Sequence, residues 1–253
     1  MAQVVIRKEI QQLGNKRAFN NRQDKWLPII QKLIIKLLRK QLRQALTILR
    51  KTGSIGLTLA TLTPSMFVKD TSEILRKIWN IVANDFAQIT FDVIQKAMDP
   101  AFVSDVQAAI LLQLANRGAN IADITVAQLE GILLVAVEEG KSINEAAKML
   151  QIEFNRLGPN RAKKIARTEI NSASNLGGFE AVNFTAKQND LTIKKIWITA
   201  GDARVRPSHR EVSREVVPID DRFSNGMLYP GDPAGGAGEV INCRCTLTYK
   251  VDD

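Results

Sequence analysis

At 253 residues the chain exceeds the usual size of one domain and falls short of three, so two parts, or one domain with an extended arm, is the expectation. Hydrophobic residues make up 45% and charged residues 24%, the composition of a folded soluble protein with enough apolar material for a core. The net charge of +9 is uneven: residues 1–55 hold thirteen Lys or Arg and two acids, a local balance of +11 against −2 for the remainder.

Residues 3–22 are polar and basic with weak periodicity. From Trp26 the pattern turns helical: Trp26, Ile30, Leu33, Leu37, Leu42, Ala45 and Leu49 share one side, with Lys32, Lys36, Arg39, Lys40, Arg43 and Arg50 on the other. A charge at nearly every turn excludes an ordinary membrane span over this run, and the N-terminus lacks the apolar core of a signal peptide. Three readings of the basic side stay open: a solvated face of a packed helix, a contact for DNA or an acidic partner, and a membrane-surface helix. Gly53 and Gly56 close the helix, and Leu57–Thr63 reads as a connector.

Thr63-Pro64 starts a second long helix running to Met98, with Leu75, Ile78, Trp79, Val82, Phe86, Ile89 and Val93 on its apolar stripe, and Pro100 stops it. Three capping boxes follow: Ser104 with Gln107, Thr125 with Gln128, and Ser142 with Glu145, opening helices that end near Gly118, Gly140 and Leu150. Gly158-Pro159 introduces a helix expected from Asn160 to about Gln188. Beyond Asn189 the character changes. Ile193–Thr199 alternates as a strand does, 222–239 is loop-like and dense in Gly and Pro, and Cys245–Val251 reads as a closing strand. The expected fold class is α+β: a mainly α-helical N-terminal two-thirds and a small C-terminal α+β module rich in ordered loops.

His209 is the only histidine, and Cys243 and Cys245 are the only cysteines. No Gly-x-Ser-x-Gly elbow, P-loop or Gly-x-Gly-x-x-Gly after a strand is present, so catalysis has no positive signal, although a Cys-His nucleophile pair could be assembled from these three residues. Cysteines at i and i+2 would strain a disulfide. On a strand they point to one face, and two thiolates with one imidazole suit zinc. Asp202 is the nearest plausible fourth ligand. The competing reading makes the three residues hydrogen-bonded struts of a loop-rich module. Asp202, Arg204 and Arg206 are expected to form structural ion pairs, the arginines reaching Asp220, Asp221 or Glu239; the rival is anion binding.

The segment from Arg161 to Cys245 resembles the phage Mu F-like head morphogenesis family. The pieces that carry the resemblance are Arg161-Ala-Lys-Lys-Ile-Ala-Arg-Thr-Glu169 with Asn175, then Lys195-Ile-Trp197. Asp202-Ala-Arg204-Val-Arg206-Pro-Ser-His209 and Val217-Pro-Ile-Asp220 with Phe223 follow, and Tyr229-Pro-Gly-Asp-Pro233 and Asn242-Cys-Arg-Cys245 close the series. The implied division is a basic helical arm (1–60), a helical region (61–158) and a Mu F-like module (159–253).

The resemblance implies a non-enzymatic minor structural protein of a tailed-phage head, present in few copies. It would associate with the portal and the capsid interior, and be required for head morphogenesis and for DNA packaging or delivery. The site of action would be the virion head interior, reached from the host cytoplasm during assembly. The basic arm would contact packaged double-stranded DNA or an acidic neighbour. Some relatives carry a toxin or enzyme domain after this module; with the sequence closing at Asp253 behind its last strand, none is expected here. Two other readings are kept: a nucleic-acid-binding protein acting through the basic arm, and a metal-dependent hydrolase or nuclease using His209 and the thiols.

Overall fold

The structure, a computed structural model, describes residues 10, 13, 16–94 and 98–252. It is mainly helical with one small antiparallel sheet near the C-terminus, as the sequence pattern requires. The first helix whose bounds lie among the described residues, α1 (Lys16–Thr52), begins ten residues before the apolar periodicity does. Tertiary partners supply what local pattern lacks. Phe19 stacks edge-on against Phe86 at 4.8 Å, and Asp85 receives both the Arg22 guanidinium (2.6 and 2.8 Å) and the Trp26 indole N–H (2.8 Å). Of the polar stretch 3–22, most of the part before Lys16 lies outside the described residues.

The expected connector Leu57–Thr63 is largely helical instead. Helix α2 (Ile55–Thr61) is nucleated by Ser54, extended at φ −146°, whose hydroxyl accepts the Leu57 N–H at 3.3 Å. Helix α3 (Ser65–Val93) starts where Thr63-Pro64 places it and buries Leu75, Ile78, Trp79, Val82 and Phe86. It ends before the expected Met98; residues 95–97 lie outside the described set.

Two of the three capping boxes do not open helices. Helix α4 (Pro100–Leu114) begins four residues before Ser104, because Pro100 suits a first helical position and the Asp99 carboxylate accepts the Ala101 N–H at 2.8 Å. Helix α5 (Arg117–Glu138) holds Thr125 in mid-helix, its hydroxyl turned back to the Ile121 carbonyl at 2.9 Å. The third box is real: Glu145 N–H reaches Ser142 Oγ at 3.3 Å, and Ser142 N–H reaches Glu145 Oε2 at 2.8 Å. It opens α6 (Ile143–Gln188), 46 residues that pass Gly158-Pro159 without a break. An interior proline costs about 3 kcal/mol. The burial of Leu150 and Phe154 before it, and of Ala162 and Ala166 after it, holds the helix on course.

By length and composition, the stretch Pro100–Glu138 is long and apolar enough to cross a membrane. It is broken by a turn at Ala115–Asn116 and buries Phe102, Val106, Ile110, Leu129 and Leu133, the stripe of core helices.

Compactness divides the chain into two units: 1–28, 78–113 and 167–253 in the first, and 29–77 with 114–166 in the second. The second unit is tied by a buried polar chain in which Gln41 bonds Thr71 (3.0 Å) and Thr125 (3.3 Å), and Arg161 bonds Thr125, Gln128 and the Ile121 carbonyl.

The first unit carries the sheet. Strand β1 (Ile193–Ile198) is central, antiparallel to β2 (Val216–Pro218) and to β3 (Thr246–Val251), with Lys195 opposite Val217 and Tyr249. Alternation turns Ile193, Lys195 and Trp197 inward. Between the strands lie a short helix α7 (Pro207–Glu211), a 3-10 turn (Pro233–Gly235) and a short helix α8 (Gly236–Val240), so the expected loop 222–239 is partly helical.

Candidate functional site

The C-terminal half of α6 organises this module. Its Thr168 hydroxyl accepts the Asn242 N–H at 3.0 Å, and its Asn175 amide donates to the Cys245 carbonyl at 3.1 Å. Between these anchors runs Asn242-Cys-Arg-Cys245, entered through Asn242 at φ +57°, a left-handed conformation that asparagine tolerates better than most residues. The cysteines precede β3 rather than lying on it, but the alternation expected of an extended segment holds: both thiols are buried, and Arg244 between them turns to the surface. A further close contact seats the Tyr229–Pro233 loop. Gly231, at φ +90°, lies so near α6 that a Cβ would fall 2.6 Å from Ser172 Oγ and 2.8 Å from its Cα, which only glycine permits.

Pro207 at the start of α7 fixes the turn that brings His209 into the module, where it is 1% exposed. Its Nδ1 lies 3.4 Å from Cys245 Sγ and 3.8 Å from Cys243 Sγ, and the three donor atoms all fall within 4.8 Å of one another. The Trp197 ring stands edge-on against the imidazole at 5.3 Å. On the far side, Glu239 Oε2 approaches His209 Nε2 to 2.8 Å and also accepts the Ser208 hydroxyl at 2.8 Å. The Cys243 thiol, hydrogen-bonded to Cys245, holds the Cys245 thiol below its ordinary pKa, with His209 acting in the same direction. The same bond, together with burial, pushes Cys243 up. Cys243 also lines a cavity of about 330 Å³ together with Gln23, Arg167, Asn171, Arg204 and Arg244.

Asp202 does not join this cluster. Its carboxylate is engaged two-pronged by Arg244 at 2.6 and 2.7 Å and more loosely by Arg204 at 3.4 Å, which holds it well below the usual carboxylate range. Asp202 and Arg204 are thus paired, but with Arg244 and each other. Arg206 donates to the Ile241 carbonyl. Neither arginine takes Asp220, Asp221 or Glu239, because the short α7 carries the chain so that Glu239 meets Ser208 and His209 instead. The cations Lys32, Lys36, Arg39, Lys40 and Arg43 belong to the other unit; all are exposed on α1, and Lys40 pairs with Asp70 at 2.6 Å.

Several supporting residues lie within the quoted motif pieces but were given no role by the sequence. Lys195 is fully buried, donates to the Ile219 carbonyl at 2.7 Å and lies over the rings of Phe179 (4.9 Å) and Phe223 (5.4 Å). Burial lowers its pKa to about 8. The alternation of β1 was the available signal, since it places Lys195 on the face of Ile193 and Trp197. Asp232 binds the Leu228 and Ala234 N–H groups and Arg222, closing the Gly/Pro-rich loop on itself. Glu169 takes the Trp79 indole at 2.7 Å.

Residues 127–248 match the family described as phage Mu protein F like protein. Among curated proteins, an NAD(+)--arginine ADP-ribosyltransferase, EFV, of Enterococcus faecalis is 30% identical over 145 residues, covering 55% of this chain and 29% of the relative. An uncharacterized protein of Bacillus subtilis, YqbB, is 26% identical, covering 90% of this chain and 79% of the relative. The minor head protein GP7 of Bacillus phage SPP1 is 25% identical over 170 residues, 66% of this chain and 52% of the relative. The chain thus spans under a third of the first of these and about half of the last. No solved structure matches. The match over 127–248, just under half of the chain, and the minor head protein among the relatives make this chain similar to the phage Mu F-like head proteins, the resemblance that the motifs from Arg161 to Cys245 carry.

Proposed function

We propose that this chain is a minor structural protein of the phage head that docks on the portal inside the shell and is required for head morphogenesis. The observation that carries the reading is the matched region itself: within it, α6, the Tyr229–Pro233 loop and Asn242–Cys245 are locked together by Thr168, Ser172 and Asn175, residues on one helix. Such a module presents a fixed surface, which suits an assembly role better than turnover. The ADP-ribosyltransferase relative aligns over less than a third of its own length, so its activity does not carry across with the alignment. The exposed cations on α1 support a second contact, with packaged DNA or an acidic neighbour.

The test is a phage lacking the chain, with mass spectrometry of particles made with and without portal. The chain should appear in few copies, should depend on portal for incorporation, and should be needed for infectious heads. Heads that assemble, package and infect normally without it would sink the proposal.

A further inference from the structure

We propose that His209, Cys243 and Cys245 bind one zinc ion, which fastens the loop-rich half of the module. The two sulfur–nitrogen distances fit the ion. Tetrahedral zinc with Zn–S of about 2.3 Å and Zn–N of about 2.0–2.1 Å sets its sulfur and nitrogen ligands ~3.6 Å apart. The two sulfur–nitrogen separations are 3.4 and 3.8 Å, and both converge on the same nitrogen, Nδ1. The donor set, two sulfurs and an imidazole, is one that favours zinc over the harder divalent ions.

The surroundings are those of a ligand site. Nε2, the nitrogen facing away from the sulfurs, has the Glu239 carboxylate 2.8 Å away, itself fixed by Ser208; a small turn of the ring would make it the carboxylate partner common to metal-bound histidines. Asn175 and Thr168 hold the backbone on either side of the thiols. The outward-turned Arg244, tied to Asp202, holds the two cysteines on the same inward side. Because Asp202 is committed to Arg244 and Arg204, it does not supply the fourth ligand. The described protein side chains thus supply three ligands, and the fourth would be a non-protein ligand such as water. The inference concerns this cluster alone and stands whether or not the chain docks on a portal.

The full-length chain, prepared without chelator under reducing conditions, should carry about one zinc by elemental analysis. Replacing zinc with cobalt(II) should give sulfur-to-cobalt charge-transfer absorption, a signature that carboxylate or histidine sites elsewhere cannot produce. Glu239→Gln should keep the signature while weakening zinc binding about 10- to 100-fold. Cys245→Ser and His209→Ala should lose it; should either fail to fold, the cobalt spectrum of the unaltered chain still decides. A folded chain that takes up no metal and shows no charge-transfer band overturns the site. So does metal that binds equally well to folded Cys245→Ser or His209→Ala, or a cysteine pair that proves to be an intramolecular disulfide.

Discussion

Asn175 and Cys245 are joined by a single hydrogen bond across 70 residues of sequence: the amide on α6 donates to the Cys245 carbonyl at 3.1 Å. The same nitrogen donates to the Asn171 carbonyl at 2.9 Å, so both of its protons are used. Seven residues earlier, about two helical turns, the Thr168 hydroxyl anchors Asn242 by accepting its N–H. The position of both thiols is therefore set by a helix distant in sequence, and only secondarily by the strand that follows them.

Removing that anchor should be costly. Asn175→Ala leaves a buried carbonyl without its side-chain donor, a loss of about 1–3 kcal/mol. For a chain of this size each kcal/mol lowers Tm by about 2–4 °C. Thermal unfolding followed by circular dichroism reads the effect. A Tm unchanged within about 1 °C would show that the bond does not hold the segment.

The buried lysine gives the molecule a pH signature. Burial lowers the Lys195 pKa from the ordinary 10.5 to about 8, so between those values the unfolded chain holds a proton that the folded chain has released. Stability contributed through this group therefore rises as pH climbs from about 8 toward 10.5. Below pH 8 the ammonium is charged in both states and the contribution is flat. Lys195→Met removes the titration. Urea unfolding of both proteins at pH 8 and pH 10 isolates it, because the raised Tyr249 hydroxyl and the thiols cancel in the comparison. The stability of the unaltered chain relative to the variant should increase between the two pH values; a constant difference would show that burial does not lower the Lys195 pKa.

Sequence patterns captured what is local and periodic. The stripe from Leu75 to Phe86, the Ser142–Glu145 cap and the alternation of β1 each follow from side chains within a few residues of one another. What they missed depends on distant partners. Ser104 and Thr125 have the residue types of a cap, but Pro100 with Asp99 starts one helix earlier, and burial carries the other past Thr125. Pro159 looks like a boundary until the burial of Phe154 and Ala162 on either side outweighs its cost. At the site, the residue types His209, Cys243 and Cys245 were legible, whereas their convergence on Nδ1 was not. Nor could spacing assign Asp202 to Arg244 rather than to the cluster, since the pair is 42 residues apart.

The exposed cations of α1 lead to a quantitative expectation for nucleic acid. Lys32, Lys36, Arg39, Lys40 and Arg43 recur at three- and four-residue steps, which lines them along one side of the helix, opposite the buried Ile34, Leu38 and Leu42. Lys40 already answers Asp70, so four are available to phosphates. Each contact adds about −0.9 to the slope of log affinity against log salt, and four predict a slope of roughly −3.6 on duplex DNA. Lys32→Ala with Lys36→Ala and Arg43→Ala should reduce that slope by about 3 while leaving Tm unchanged, since all three side chains are exposed. Fluorescence anisotropy on unrelated duplexes at several salt concentrations measures it. Affinities that match across sequences and fall together in the triple variant would place DNA on this helix. An unchanged slope would assign the stripe to an acidic protein neighbour or to solvent.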